Sequence, residues 1–264
     1  MTQVDDDTLY GLVGRLSLSE NRVPLPLLGV TVEAEVHDFI AQVKVVQVYT
    51  NTLAHSLEAT YHFPLDEAAS VCQFSAESPD GTVVEGIVRE KSAAKREYRN
   101  AIRAGHQAQL GESVRPDILS ITVGNLPQKE QLKINVTYVT ALKNEGSAVR
   151  FLLPTHVGQR YSQQNSPPMI LNTKWREMGG IGVNVKFCMR SPIKSLVSVT
   201  HGHESSWSVL MDPLCACKST VSLTDTALNR DLIVLCKEED AHKPRVFVEI
   251  GERGTMAGVV TLFP

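Results

Sequence analysis

The chain has 264 residues, 42% hydrophobic and 21% charged, with a net charge of −3. This length supports one large or two ordinary domains around a buried core. The slightly acidic balance argues against general affinity for nucleic acid or anionic membranes, which need a basic surface.

Residues Met1 to Asp7 show no basic segment followed by an apolar run. No stretch approaches the roughly 18 to 20 apolar residues of a membrane span, so the cytosol is the expected compartment. The cysteines, Cys72, Cys188, Cys215, Cys217 and Cys236, are odd in number and irregular in spacing. They read as reduced thiols, not as a disulfide framework.

Period-two alternation dominates the chain and predicts strands. Val30, Val32, Ala34 and Val36 share one face, and His37-Asp38 is a turn. From Ala41 to Tyr49 the phase changes, with Val43 and Val45 on one face and Val46 and Val48 on the other. That pattern predicts a bulge or burial of both faces. Ala59, Tyr61 and Phe63 alternate up to Pro64, which cannot donate to a ladder. Ser78-Pro79-Asp80-Gly81 is a turn between the runs Val71–Glu77 and Thr82–Val88.

Glu90 to Ala104 predicts the one α-helix, stopped at Gly105. Ala94, Tyr98, Ala101 and Ile102 form its apolar stripe, and Lys91, Lys95, Arg96, Arg99 and Arg103 its basic face. Strands follow at Leu119–Val123 and Leu132–Tyr138, with Gly124-Asn125 suited to a tight turn before the second. The sequon Asn135-Val136-Thr137 falls inside a strand and carries no meaning without secretion. Val149, Phe151 and Leu153 make another strand, and residues 155–180 read as a polar loop or linker.

Ile181, Val183, Val185, Phe187 and Met189 then alternate cleanly. Weaker runs lie at Ile193–Val199, Trp207–Met211, Thr220–Leu223, Leu232–Cys236, Arg245–Ile250 and Ala257–Phe263. The second half reads as a small all-β sandwich. The last run is expected to be a strand cut short, the mark of a fragment or short isoform whose second sandwich is incomplete.

Three segments carry a family pattern. They are Glu58–Glu67, with Tyr61-His62-Phe63-Pro64 and Asp66; Glu90–Ala108, with Tyr98 and Gly105; and Arg115-Pro116-Asp117 with Val123-Gly124-Asn125-Leu126-Pro127. In order and spacing they resemble the VIT domain, named for the vault protein and inter-alpha-trypsin inhibitor heavy chains, over about residues 9–142. The resemblance implies a VIT-type β-sandwich with one helix, followed by a connecting strand and loop at 143–180 and a second β domain at 181–264. It also implies structural roles for Pro64, Asp66, Tyr98, Gly105, Arg115, Pro116, Asp117, Gly124 and Asn125. Val149–Pro154 and Arg160-Tyr161 are similar to the family members without a signal peptide, the 5A-like von Willebrand factor A domain-containing proteins. The Asp-x-Ser-x-Ser cation motif of that A domain does not occur here, so metal-dependent adhesion is not expected.

The expected function is a non-enzymatic protein-interaction or scaffold module, with no cofactor, metal or nucleic acid, and with protein partners. The basic face Lys91, Lys95, Arg96, Arg99 and Arg103 would steer an acidic partner. His201-Gly202-His203-Glu204 is expected in a surface loop, and Cys215-Ala216-Cys217 has one residue too few between its thiols for the usual zinc spacing. Two rivals remain: a hydrolase using His62 or His106 as base, and a structural half-protein exposing an apolar edge near its carboxyl terminus.

Overall fold

The structure, a computed structural model, describes residues 11–15, 22–64, 68–85, 109–115, 118–154, 181–226, 230–240, 243, 245–251 and 254–261. Within them all regular structure is β. The first strands are β1 (Gly11–Arg15), β2 (Arg22–Pro24), β3 (Leu27–His37), β4 (Ile40–Thr50), β5 (Leu57–Pro64), β6 (Ala69–Glu77) and β7 (Val83–Glu85). There follow β8 (Gln109–Arg115), β9 (Ile118–Leu126), β10 (Gln131–Ala141), β11 (Lys143–Glu145) and β12 (Ala148–Leu153). The last are β13 (Ile181–Cys188), β14 (Ile193–Ser198), β15 (Trp207–Met211), β16 (Lys218–Thr226), β17 (Leu232–Glu238), β18 (Arg245–Ile250) and β19 (Met256–Thr261). The helix expected over Glu90–Ala104 lies outside the described residues, and none of the described residues is helical.

An eight-stranded sheet, ordered β15-β16-β13-β3-β4-β10-β6-β7, is the spine. Its β3–β13 pair is parallel, with Val30 beside Ile181 and Val36 beside Phe187. The hydrogen-bonded ladder therefore continues across the boundary that the sequence places between 142 and 181. A five-stranded sheet (β2-β1-β5-β9-β8) and a four-stranded sheet (β11-β12-β17-β14) complete the packed layers, while β18 and β19 pair only with each other.

One face of the spine is apolar and the other wet. Val30, Val32, Ala34 and Val36 of β3 are buried as the alternation predicts, and Ile181, Val183, Val185 and Phe187 continue the same face in register. These residues join Leu12, Tyr61, Ile121, Phe151, Leu153 and Leu232 from the two smaller sheets in a single core. The opposite face carries cross-strand pairs such as Lys133–Glu77 at 2.8 Å and Lys186–Glu35 at 3.4 Å. Such exposed pairs contribute about 0 to 1 kcal/mol each and mainly keep this face solvated.

Two local readings are corrected. The phase of β4 does not change: Ala41, Val43, Val45, Gln47 and Tyr49 all point inward, Gln47 at 2% exposure. A polar residue holds the inward position because it has partners there. Gln47 Oε1 accepts the Tyr61 hydroxyl at 2.6 Å and the Tyr49 hydroxyl at 3.2 Å. Tyr61 belongs to the five-stranded sheet and Gln47 to the spine, so this hydrogen bond pins one layer to the other.

Gly124-Asn125 is not the turn before β10. Leu57 faces Leu126 and Ala59 faces Val123, so Gly124 and Asn125 together oppose Glu58 in a β-bulge. The chain reverses later, over Pro127–Glu130, where Lys129 takes φ 59°. Buried Asn51 organises that crossing between sheets. Its Nδ2 donates to the carbonyls of Leu126 at 3.2 Å, Pro127 at 2.9 Å and His55 at 3.0 Å, and its Oδ1 accepts Leu53 N–H at 3.0 Å.

Candidate interaction surface

The β18–β19 hairpin is built from two short alternating runs closed by a glycine turn. Gly251 N–H donates to Thr255 O at 2.8 Å, and Gly254 N–H to Gly251 O at 2.9 Å with Gly254 at φ 72°. The register sets Val246 opposite Val260, Val248 opposite Gly258 and Ile250 opposite Met256. One face of the hairpin is thus entirely apolar. Its five side chains are all more than half exposed, from 59% at Val246 to 72% at Met256. A two-stranded ribbon is marginal alone in water, and full burial of each such side chain is worth roughly 1.5–3 kcal/mol. These are five of the thirteen exposed large hydrophobic side chains among the described residues.

A second apolar stretch lies along β15, the edge strand of the spine. Val209, Leu210 and Met211 are exposed there, and Leu214 in the following loop is 95% exposed. The strand carries no charge or proline, the usual guards of a free edge.

Among the other buried polar groups, two clusters sit at joints between strands. At the first, Asp38, with φ 51° in the β3–β4 turn, accepts Arg190 N–H at 2.9 Å. Beside it, buried Glu238 accepts the Ser191 backbone at 3.2 Å and the Ser191 hydroxyl at 2.9 Å. Burial, reinforced by the Glu238 and Asp38 charges, pushes the Cys236 thiol up to about 12.

At the second joint the sequence expectation is half right. His203 is exposed, but His201 is fully buried, and Gly202 is so close to the Ser198 carbonyl that a Cβ would collide with it. His201 Nδ1 meets Thr200 Oγ1 at 2.9 Å, and its Nε2 lies 4.0 Å from Glu204, which pairs with Arg230 at 3.2 Å. Burial holds the imidazole below its ordinary pKa, and Arg230 adds to this against Glu204. The arrangement locks the β14–β15 loop to β17, since Ile233 N–H donates to Thr200 Oγ1 and Ser198 Oγ to Ile233 O.

The five basic positions Lys91, Lys95, Arg96, Arg99 and Arg103 lie outside the described residues, as do Asp66, Tyr98, Gly105, Pro116, Asp117 and His106. Pro64 ends β5 and Arg115 ends β8, as strand boundaries. His62 is half-buried in β5, on a different element from His201. Among the described residues no three His, Cys, Asp or Glu side chains converge as a metal site, and no helix is long and apolar enough to cross a membrane. The apolar hairpin face was legible as two alternating runs, but its exposure was expected only on the half-protein alternative, because alternation alone does not say whether a strand finds a sheet.

Residues 27–138 match the family described as Vault protein inter-alpha-trypsin domain (VIT). The chain is 32% identical over 235 residues to the protein mono-ADP-ribosyltransferase PARP4 of Mus musculus, covering 86% of this chain and 12% of the relative. It is 40% identical over 133 residues to PARP4 of Homo sapiens, covering 50% of this chain and 8% of the relative. Against the human von Willebrand factor A domain-containing protein 5A it is 29% identical over 241 residues, covering 89% of this chain and 30% of the relative. The chain therefore spans less than a third of the length of these relatives.

Proposed function

Residues 27–138 are a VIT domain, and from that premise we propose that the chain is a protein-interaction scaffold whose apolar hairpin face packs against a von Willebrand factor A domain. The observation that carries this reading is the uncovered face formed by Val246, Val248, Ile250, Met256 and Val260. The occupant follows from the relatives: one is named for that domain, and the shared region takes up only 30% of its length. The module acts inside the cell and supplies contacts, not chemistry. The transferase activity in the name of the other relative belongs, on this reading, to the remaining 88% or more of that protein. Lys91, Lys95, Arg96, Arg99 and Arg103 steer the encounter with an acidic surface and set its rate more than its strength.

Calorimetric titration of the chain with the recombinant A domain of the human relative tests this. Micromolar or tighter binding is expected, weakened at least about tenfold by Val248→Lys with Ile250→Lys, a loss of about 1.4 kcal/mol. Melting of the variant should stay near that of the parent, because both positions are exposed. Absence of binding, or binding indifferent to the two lysines, would remove the A domain as the occupant. Reversing Lys95, Arg99 and Arg103 to Glu should slow association in a salt-dependent manner.

A further inference from the structure

The loop between β15 and β16 holds the sequence Cys215-Ala216-Cys217 in a closed geometry. Asp212 N–H donates to Lys218 O at 3.0 Å, and Lys218 N–H to Cys215 O at 2.9 Å. The latter bond makes Cys215–Lys218 a turn with Cys217 at its third position. The Asp212 carboxylate accepts Leu214 N–H at 2.8 Å and fixes the approach to the turn. The two cysteines sit one residue apart within this turn, at its first and third positions. Both thiols are free and half-buried. The same turn is stapled to its neighbour, since Ala216 O accepts Ile193 N–H at 2.9 Å and Cys217 O accepts Met189 N–H at 2.8 Å.

The geometry points to Cys215 and Cys217 as a dithiol that a low-molecular-weight disulfide converts reversibly into an intrachain disulfide. The hydrogen-bonded turn already holds the two cysteines one residue apart, so the closing step needs no long loop closure. Burial raises the Cys217 thiol, with Cys215 adding to the effect, which disfavours Cys217 as the attacking thiolate. Cys215 is therefore the first nucleophile. Its thiolate attacks one sulfur of glutathione disulfide, breaking that S–S bond and releasing one glutathione thiolate. The Cys217 thiol then loses its proton, attacks the Cys215 sulfur and expels the second glutathione. Two protein thiols are oxidised and one disulfide is reduced to two thiols, so electrons balance. A ring closed across a single residue is strained, which places the bond in the labile, regulatory class. Of the other cysteines, Cys72 is exposed and bonds the Ser70 carbonyl, Cys188 lies in β13 opposite Lys218, and Cys236 is buried in β17.

The test equilibrates the full chain with mixtures of reduced and oxidised glutathione, followed by acid quench, alkylation and trypsin. Both cysteines fall on one tryptic peptide, residues 195–218. That peptide should appear two hydrogens lighter, free of alkyl and glutathione, and return to the dithiol with dithiothreitol. In Cys217→Ser the glutathione should remain on Cys215. If that variant loses its near-ultraviolet dichroism, Cys215→Ser makes the same comparison with the adduct on Cys217. A wild-type peptide that stays a dithiol, or stops at a glutathione adduct, in a mixture that modifies Cys72 would overturn the proposal.

Discussion

Replacing Gln47 with Leu removes the acceptor that joins two layers of the fold while leaving the volume nearly filled. Two phenol groups then lose their partner in a region sealed from water, Tyr49 and Tyr61 being 0% and 1% exposed. An orphaned buried donor costs about 1–3 kcal/mol, so the pair costs roughly 2–6 kcal/mol. The apolar gain from leucine offsets about 1 kcal/mol of this. A net loss of about 2–4 kcal/mol is expected, read as a lower urea midpoint by circular dichroism with an unchanged slope. The decisive comparison is the triple variant Gln47→Leu, Tyr49→Phe, Tyr61→Phe. Removing all three polar groups takes away both orphaned phenols and should recover much of the loss, although Phe at either position alone strips Gln47 of a donor. If Gln47→Leu costs under about 0.5 kcal/mol, or the phenylalanines add their single-variant costs in full, the three side chains do not form one network.

Asn51→Ala should cost about 2–4 kcal/mol, because three carbonyls and the Leu53 amide lose one common partner. Asn51→Asp should be worse near neutral pH and improve on acidification, since an ionised carboxylate cannot donate to those carbonyls; urea melts at two pH values separate the cases. For His201 the folded-state pKa lies below 6.5, so the unfolded chain binds the proton more readily. Stability should be complete above about pH 6.5 and fall as the pH drops below it, and His201→Gln should flatten that dependence. Iodoacetamide should label exposed Cys72 in the native protein and Cys236 only after unfolding, as mass spectrometry of the digests would show.

The strands were legible where burial on one side forces alternation. β13 sits within a residue of the run read from the sequence because Ile181, Val183, Val185 and Phe187 are buried and the residues between them are not, while β15 and β18 match their runs although most of their described apolar side chains are exposed. The reading failed where a polar residue took an inward place. Gln47 interrupts the apolar set of β4, so the period seemed to slip toward Val46 and Val48. Only a partner from another strand, Tyr61, reveals that the alternation persists. Gly124-Asn125 failed for a related reason. A glycine beside an asparagine fits a turn or a bulge equally well, and the register against β5 decides between them. Strands β1, β2 and β8 carried too few apolar residues to stand out.

The candidate surface was less legible than the fold because exposure depends on topology. The runs Arg245–Ile250 and Val30–Val36 look alike in sequence, yet the second has strands on both sides and a sheet against its face, and the first has neither. The same topology explains why the module can leave an apolar ribbon uncovered without losing its fold. The spine gathers strands from both halves of the chain through the parallel β3–β13 pair, and none of the described side chains of β18 or β19 belongs to its core. On the proposed function, stability and recognition are thereby housed in different sheets. A substitution on the outward face of Val248 or Ile250 should act on a partner and leave the melting temperature alone, whereas one at Gln47 or Asn51 should do the reverse.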